Sequence, residues 1–161
     1  MNTDALLRAY DDLIAAANAV GSRSNLAPDD AADISWRLCH IALSDEILTS
    51  AAQATLDGRP AIVNNSRAMD CDLIASMSNK TTHHERVETV RQNGAAFVER
   101  VAQLSQSQGA APVRLMVHDR NVILVSDAMT SWCELVQLRV DRHLRAHTEK
   151  LTAVAVLGCR A

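Results

Sequence analysis

Apolar residues recur at steps of three and four in four long stretches of this chain. That period fits helices packed along one face and excludes the two-residue alternation of a sandwich or barrel. Leu6, Tyr10, Leu13, Ala17 and Val20 form the first stripe, and Ile34, Leu38, Ile41, Leu48 and Ala52 the second. Val87, Val90, Gly94, Phe97, Val101 and Leu104 form the third, and Met129, Cys133, Val136, Val140, Leu151 and Val154 the fourth. Only 2% of the residues are aromatic, namely Tyr10, Trp36, Phe97 and Trp132, so the core must be aliphatic, which suits close helix packing.

Punctuation residues place the ends. The first helix is expected from about Thr3, as its cap, to Val20, with Gly21 as the stop. The second begins at Pro28–Asp30 and runs to about Leu56, where Asp57-Gly58-Arg59-Pro60 breaks it. It carries another stripe, Trp36, His40, Leu43, Ile47 and Ala51, on its opposite side. That second face requires a cover, either a long loop or a second copy of the chain, and a homodimer is expected from it. Residues Ile62–Asn65 read as loop, and Ser66–Met77 as a short helix. Thr82 and Glu85 make a capping box that opens the third long helix. Its Gly94 marks either a close helix approach or space for a ligand. Val113–Val117 and Val122–Val125 read as a short hairpin. The last helix is expected from Asp127 or Thr130 to Leu157, with Gly158 as its stop. The expectation is one all-α domain over residues 1–161, a four-helix bundle with a short β-hairpin before the last helix.

Composition narrows the function classes. With 48% hydrophobic and 22% charged residues the chain is not disordered, and its apolar runs are too short to span a membrane. A net charge of -3 with scattered basic residues gives no nucleic-acid footprint. No export signal is read at the start, so a cytoplasmic location is expected, with Cys39, Cys71, Cys133 and Cys159 as reduced thiols. Cys39 and Cys133, inside helices, are expected to be small buried hydrophobes.

The most informative feature is in the last helix. Between Val140 and Leu151, the stripe positions are held by His143 and His147. Four residues apart on one helix face, their rings can reach a single ion. Two imidazoles in an aliphatic stripe need partners, and a shared metal or separate core hydrogen bonds would each supply them. The zinc-protease H-E-x-x-H pattern is absent, because Leu144 stands at the glutamate position. Among the other histidines, His83 and His84 open the third helix and His118 lies in the hairpin turn, all expected at the surface. His40 is on an apolar stripe.

The stretch from Trp36 to Asp45, the stretch from Asp141 to His147 and the T-H-x-E-R start of the third helix resemble the DinB-like superfamily of metal-binding four-helix bundles. The likeness is greatest to the mycothiol-dependent maleylpyruvate isomerase type. It implies a metal site of His40, His143 and His147, holding zinc or nickel with an open coordination position. It further implies a low-molecular-weight thiol as cosubstrate and a small-molecule substrate, in a transferase or isomerase reaction. A hydrolase using bound water and a non-catalytic binding bundle are the alternatives. The second, sterol-carrier-like domain found in many such isomerases is not in this sequence. Arg37, Asp45, Glu46, Arg142 and Glu149 are candidates to line or support the site. For Asp45, orienting an imidazole and pairing with an arginine are equally open.

Overall fold

A computed structural model of the protein describes residues 1–23 and 25–157. Gly158 and Cys159 lie outside the described residues. The architecture is mainly helical, with one three-stranded sheet. Helices α1 (Asp4–Gly21), α2 (Pro28–Leu56) and α5 (His83–Gln103) are the first long elements. The last long helix has three parts: α7 (Trp132–Leu138), a π-helical turn (Arg139–Leu144) and α8 (Arg145–Leu157). α2 lies along α5, and α1 packs against both α5 and α8. Leu13, Val20, Ile41, Ala52, Phe97 and Leu151 are fully buried between them. Each large side chain so buried contributes on the order of 1.5–3 kcal/mol.

The start of α1 departs from expectation. Thr3 makes no side-chain cap, and Asn2 Oδ1 instead accepts the Asp4 amide at 2.9 Å. At α5 the capping box forms as the sequence requires, with both Thr82–Glu85 bonds present. Gly94 reflects close approach and not ligand space: a Cβ there would lie 2.7 Å from the Tyr10 ring.

The second face of α2 is covered by the chain itself. Residues 66–80 form two helices, α3 (Ser66–Met69) and α4 (Cys71–Lys80), broken at Asp70, whose side chain caps α4. Their Ala68 and Ile74 bury Cys39 and Leu43, with Trp36, Ile47, Leu73 and Met77 around them. The face that prompted the expectation of a dimer is thus covered in large part by the chain's own α3 and α4, with Trp36 and Ile47 left half-buried.

The sheet is larger than the expected hairpin. Strand β1 (Ala61–Asn64), read from sequence as loop, runs parallel to β2 (Pro112–His118), pairing Val63 with Leu115. β2 pairs antiparallel with β3 (Leu124–Ser131), giving the order β1-β2-β3. Four residues were too few for a periodic signal, and the partner lies far along the chain. In the turn between β2 and β3, Val122 adopts φ 59°, a left-handed conformation that costs a β-branched residue on the order of 1–3 kcal/mol. α6 (Gln106–Gly109) is a single capped turn between α5 and β2.

The last helix starts later than the apolar stripe suggests. Residues 127–131 belong to β3, and the helix opens at Ser131, whose hydroxyl and Glu134 form a capping box. Met129 is therefore an exposed strand residue, and Cys133 is exposed on the first helical turn. The buried positions are Trp132, Leu135, Val136, Arg139, Leu144, His147 and Leu151. The step of five from Arg139 to Leu144 is the mark of the π turn, which shifts the inward face and leaves Val140 half-buried. Trp132 pins the helix start to α2 through a 2.8 Å bond from Nε1 to Thr55 Oγ1.

Candidate metal centre

His40 comes from the middle of α2, His143 from the π turn and His147 from the first turn of α8. Their rings converge, with centroids 4.7–5.4 Å apart. One nitrogen from each ring lies within 4.8 Å of the others, so the cluster could hold a metal ion. Tetrahedral zinc ligands at about 2.0–2.1 Å from the ion would stand about 3.3 Å apart, so sub-ångström to ångström shifts would close the set. The closest pair, His40 Nε2 and His143 Nε2, is at 3.0 Å.

Hydrogen bonds position each ring. His40 Nδ1 donates to the Ala68 carbonyl at 2.7 Å, which leaves the Nε2 lone pair facing the cluster. That is the usual support of a metal-binding histidine. Trp36 stacks on the same ring at 4.8 Å, and Arg120 lies 4.0 Å over Trp36. α2 and the α3 segment thus fix His40 from two sides.

The other two rings are held differently. Arg139 Nη1 donates to His143 Nδ1 at 2.6 Å, and Arg37 Nη1 to His147 Nδ1 at 3.3 Å. In a neutral ring the proton then sits on Nε2, and His143 donates it to His40. A run of hydrogen bonds results, from Arg139 through His143 and His40 to the Ala68 carbonyl. For an ion to take the His143 Nε2 lone pair, Arg139 must turn from Nδ1 so that the ring proton can move there. The donor chemistry, number and spacing of the residues fit a divalent ion, and Arg139 at His143 and Arg37 at His147 are the groups that must rearrange.

The protonation states also suit an ion. Burial pushes His40 down to about 4 and His147 to about 3, with neighbouring positive groups adding to the effect. His143 is pushed well below the usual histidine range by burial, then Arg139 and the other two histidines. All three rings are neutral at physiological pH and can offer lone pairs.

Behind His143 is a second buried group. Arg139 pairs with Asp45, and the Tyr10 hydroxyl donates to the same carboxylate oxygen. Burial, the largest single effect, works against the guanidinium, and the charge of Asp45 together with Tyr10 and their hydrogen bonds outweighs it, so Arg139 is held above its ordinary value, while burial also raises Asp45. Asp45 is thus an arginine partner and touches no histidine. The Asp45 Oδ2 and Arg139 Nε atoms are buried with no partner.

Of the other candidates, Arg37 reaches the cluster while Asp33 grips it. Arg142 lines the adjoining cavity. Glu46 points instead to Arg67 and Asn93, and Glu149 pairs with Arg145 at the surface. His83 is half-buried rather than solvated, donating Nε2 to the Ala17 carbonyl at 2.9 Å. His118 is half-buried at the end of β2, where its amide donates to Asn65. His84 is exposed.

Two residues of this arrangement escaped the sequence reading. Arg139, His143 and His147 share one spacing of four, which could have marked the arginine. Tyr10 reads as an ordinary stripe residue, and nothing local reveals that its hydroxyl meets Asp45.

A cavity of about 330 Å³ lies against the cluster. His40, His143, Arg139 and Arg142 line one end, and aliphatic side chains from α2, the sheet and α7 line the rest. No protein-family model matches this chain, and neither a curated protein nor a solved structure matches it.

Proposed function

We propose that the chain is a DinB-like four-helix metalloprotein that binds zinc or nickel through His40, His143 and His147. We further propose that it uses a low-molecular-weight thiol in a transferase or isomerase reaction. The observation that carries this reading is the convergence of three neutral imidazoles, with His40 and His143 on the wall of a cavity large enough for a small molecule and His147 buried behind it. A bound divalent ion would lower the pKa of a thiol or water held at an open position.

The protein's own residues would serve that chemistry in three ways. His40 is preset by the Ala68 carbonyl and Trp36. Arg37, Arg139 and Arg120 surround the cluster with positive charge, and among the described residues only Arg37 and Arg139 of these have carboxylate partners within reach. An anionic thiolate is therefore favoured over a neutral thiol there. The aliphatic walls exclude water and strengthen every charge interaction at the polar end.

The experiment is turnover of electrophilic substrates by metal-loaded protein, with and without added thiol. Thiol-dependent turnover that disappears in His143→Ala supports the reading. Thiol-independent cleavage of an ester or amide would replace it with a hydrolase. Full turnover in a metal-free His143→Ala protein would end it.

A further inference from the structure

The cavity runs along α2 from His40 to Leu48 and along the last helix from His143 back to Leu135. The contacts of His40 with His143 and of Thr55 with Trp132 set these helices side by side in opposite senses, so the two ends of the cavity differ chemically. Leu48, Val63, Leu115, Val117, Leu135 and Leu138 make one end aliphatic. Ser44 and Asn65 also reach its wall, but the Ser44 hydroxyl is already used by the His40 carbonyl. The other end holds His40, His143 and two arginines. The arginines differ. Arg139 is neutralised by Asp45, whereas Arg142 is exposed and has no carboxylate partner among the described residues. A cavity so built offers an apolar ligand body a dry surface and offers its head one free cation beside the histidines.

We infer that the site takes a small amphipathic anion, a carboxylate with an unbranched aliphatic body, whose head lies at Arg142 and the histidines and whose body fills the aliphatic end. This rests on the reading of the histidine cluster as the reacting end of the site. At about 30 Å³ per water-sized group, the volume accommodates on the order of ten heavy atoms, a medium-chain acid. A polar thiol cosubstrate has no counterpart in the aliphatic walls, so the cavity belongs to the electrophilic partner. Arg142 would then select charge, and β2 would select length through Leu115 and Val117.

Calorimetric titration of the full chain with sodium octanoate, sodium acetate and octanol tests this, in metal-depleted and zinc-loaded samples of measured metal content. Octanoate should bind about a hundredfold more tightly than acetate, because acetate leaves the aliphatic end empty. Arg142→Gln should weaken octanoate about fivefold and leave octanol unchanged, since only the charge contact is removed. Val117→Phe should weaken both by about tenfold or more by filling the cavity. Should that variant fail to fold, Leu138→Trp at the exposed rim takes its place. Octanoate no tighter than acetate, or Arg142→Gln without effect on octanoate, would overturn the inference. The two readings fail separately. Octanoate binding by a chain that holds no metal would keep the ligand class and remove the metal. Metal uptake without preference for octanoate over acetate would do the reverse.

Discussion

Two buried groups of ionisable side chains sit side by side in this molecule, and opposite arrangements hold them. In the first, Tyr10, Asp45 and Arg139 join α1, α2 and the π turn, and opposite charges meet directly. In the second, three basic rings meet one another and two arginines, and among the described residues no carboxylate hydrogen-bonds to them. The first group is charge-paired within the chain, although Asp45 Oδ2 and Arg139 Nε find no partner, and reads as support. The second is tolerated because burial keeps its rings neutral, and its lone pairs, taken up by the two arginines and by one another, become available to an ion when those hydrogen bonds are given up. Arg139 belongs to both, so the support is wired to the site through a single side chain.

The largest expected effect comes from breaking the first group. Asp45→Asn leaves the buried Arg139 charge uncompensated, and urea unfolding should report a loss of about 3–5 kcal/mol. A loss below about 1 kcal/mol would mean that the two groups do not differ as described.

Next comes acid. A histidine whose folded pKa is depressed binds fewer protons when folded than when unfolded, between its folded value and about 6.5. Its contribution is therefore complete above about pH 6.5 and is lost as pH falls toward about 4 for His40 and about 3 for His147. Metal-free protein should lose up to about 3 kcal/mol per group across that window, and His40→Gln should flatten the curve. A flat wild-type profile between pH 6.5 and 4 would show that the rings are not held neutral by burial.

Smaller effects separate support from site. Tyr10→Phe removes one hydrogen bond to a carboxylate and should cost about 2 kcal/mol in thermal or urea unfolding, with metal content unchanged. Trp36→Leu removes the stack on His40 and should cost about 1 kcal/mol in stability, but should weaken metal retention in a chelator titration. If Tyr10→Phe instead abolished metal binding and Trp36→Leu did not, the roles assigned to the two groups would be reversed.

The contrast also explains what could be read in the sequence. The long helices α1, α2 and α5 were legible because each buries one stripe over many turns, and the α5 capping box is a purely local signal. The His143 and His147 pair was legible for the same reason. β1 was not, because four residues carry no usable period and its pairing with β2 spans some fifty positions of chain. The start of the last helix was misplaced because Asp127 to Ser131 can continue a helical stripe, although Ser131 and Glu134 carried a capping box that marked the true start. The π turn was invisible, since its step of five appears only once the buried face is known. Asp45, ambiguous in sequence, was resolved by a partner ninety-four positions away.

Elemental analysis of the native protein, repeated on His143→Ala, asks whether the three histidines hold an ion. Close to one zinc or nickel per native chain and almost none in the variant is expected, with the variant still folded by circular dichroism. Equal metal content in the two proteins, or none in either after growth and refolding with zinc and nickel, would contradict it.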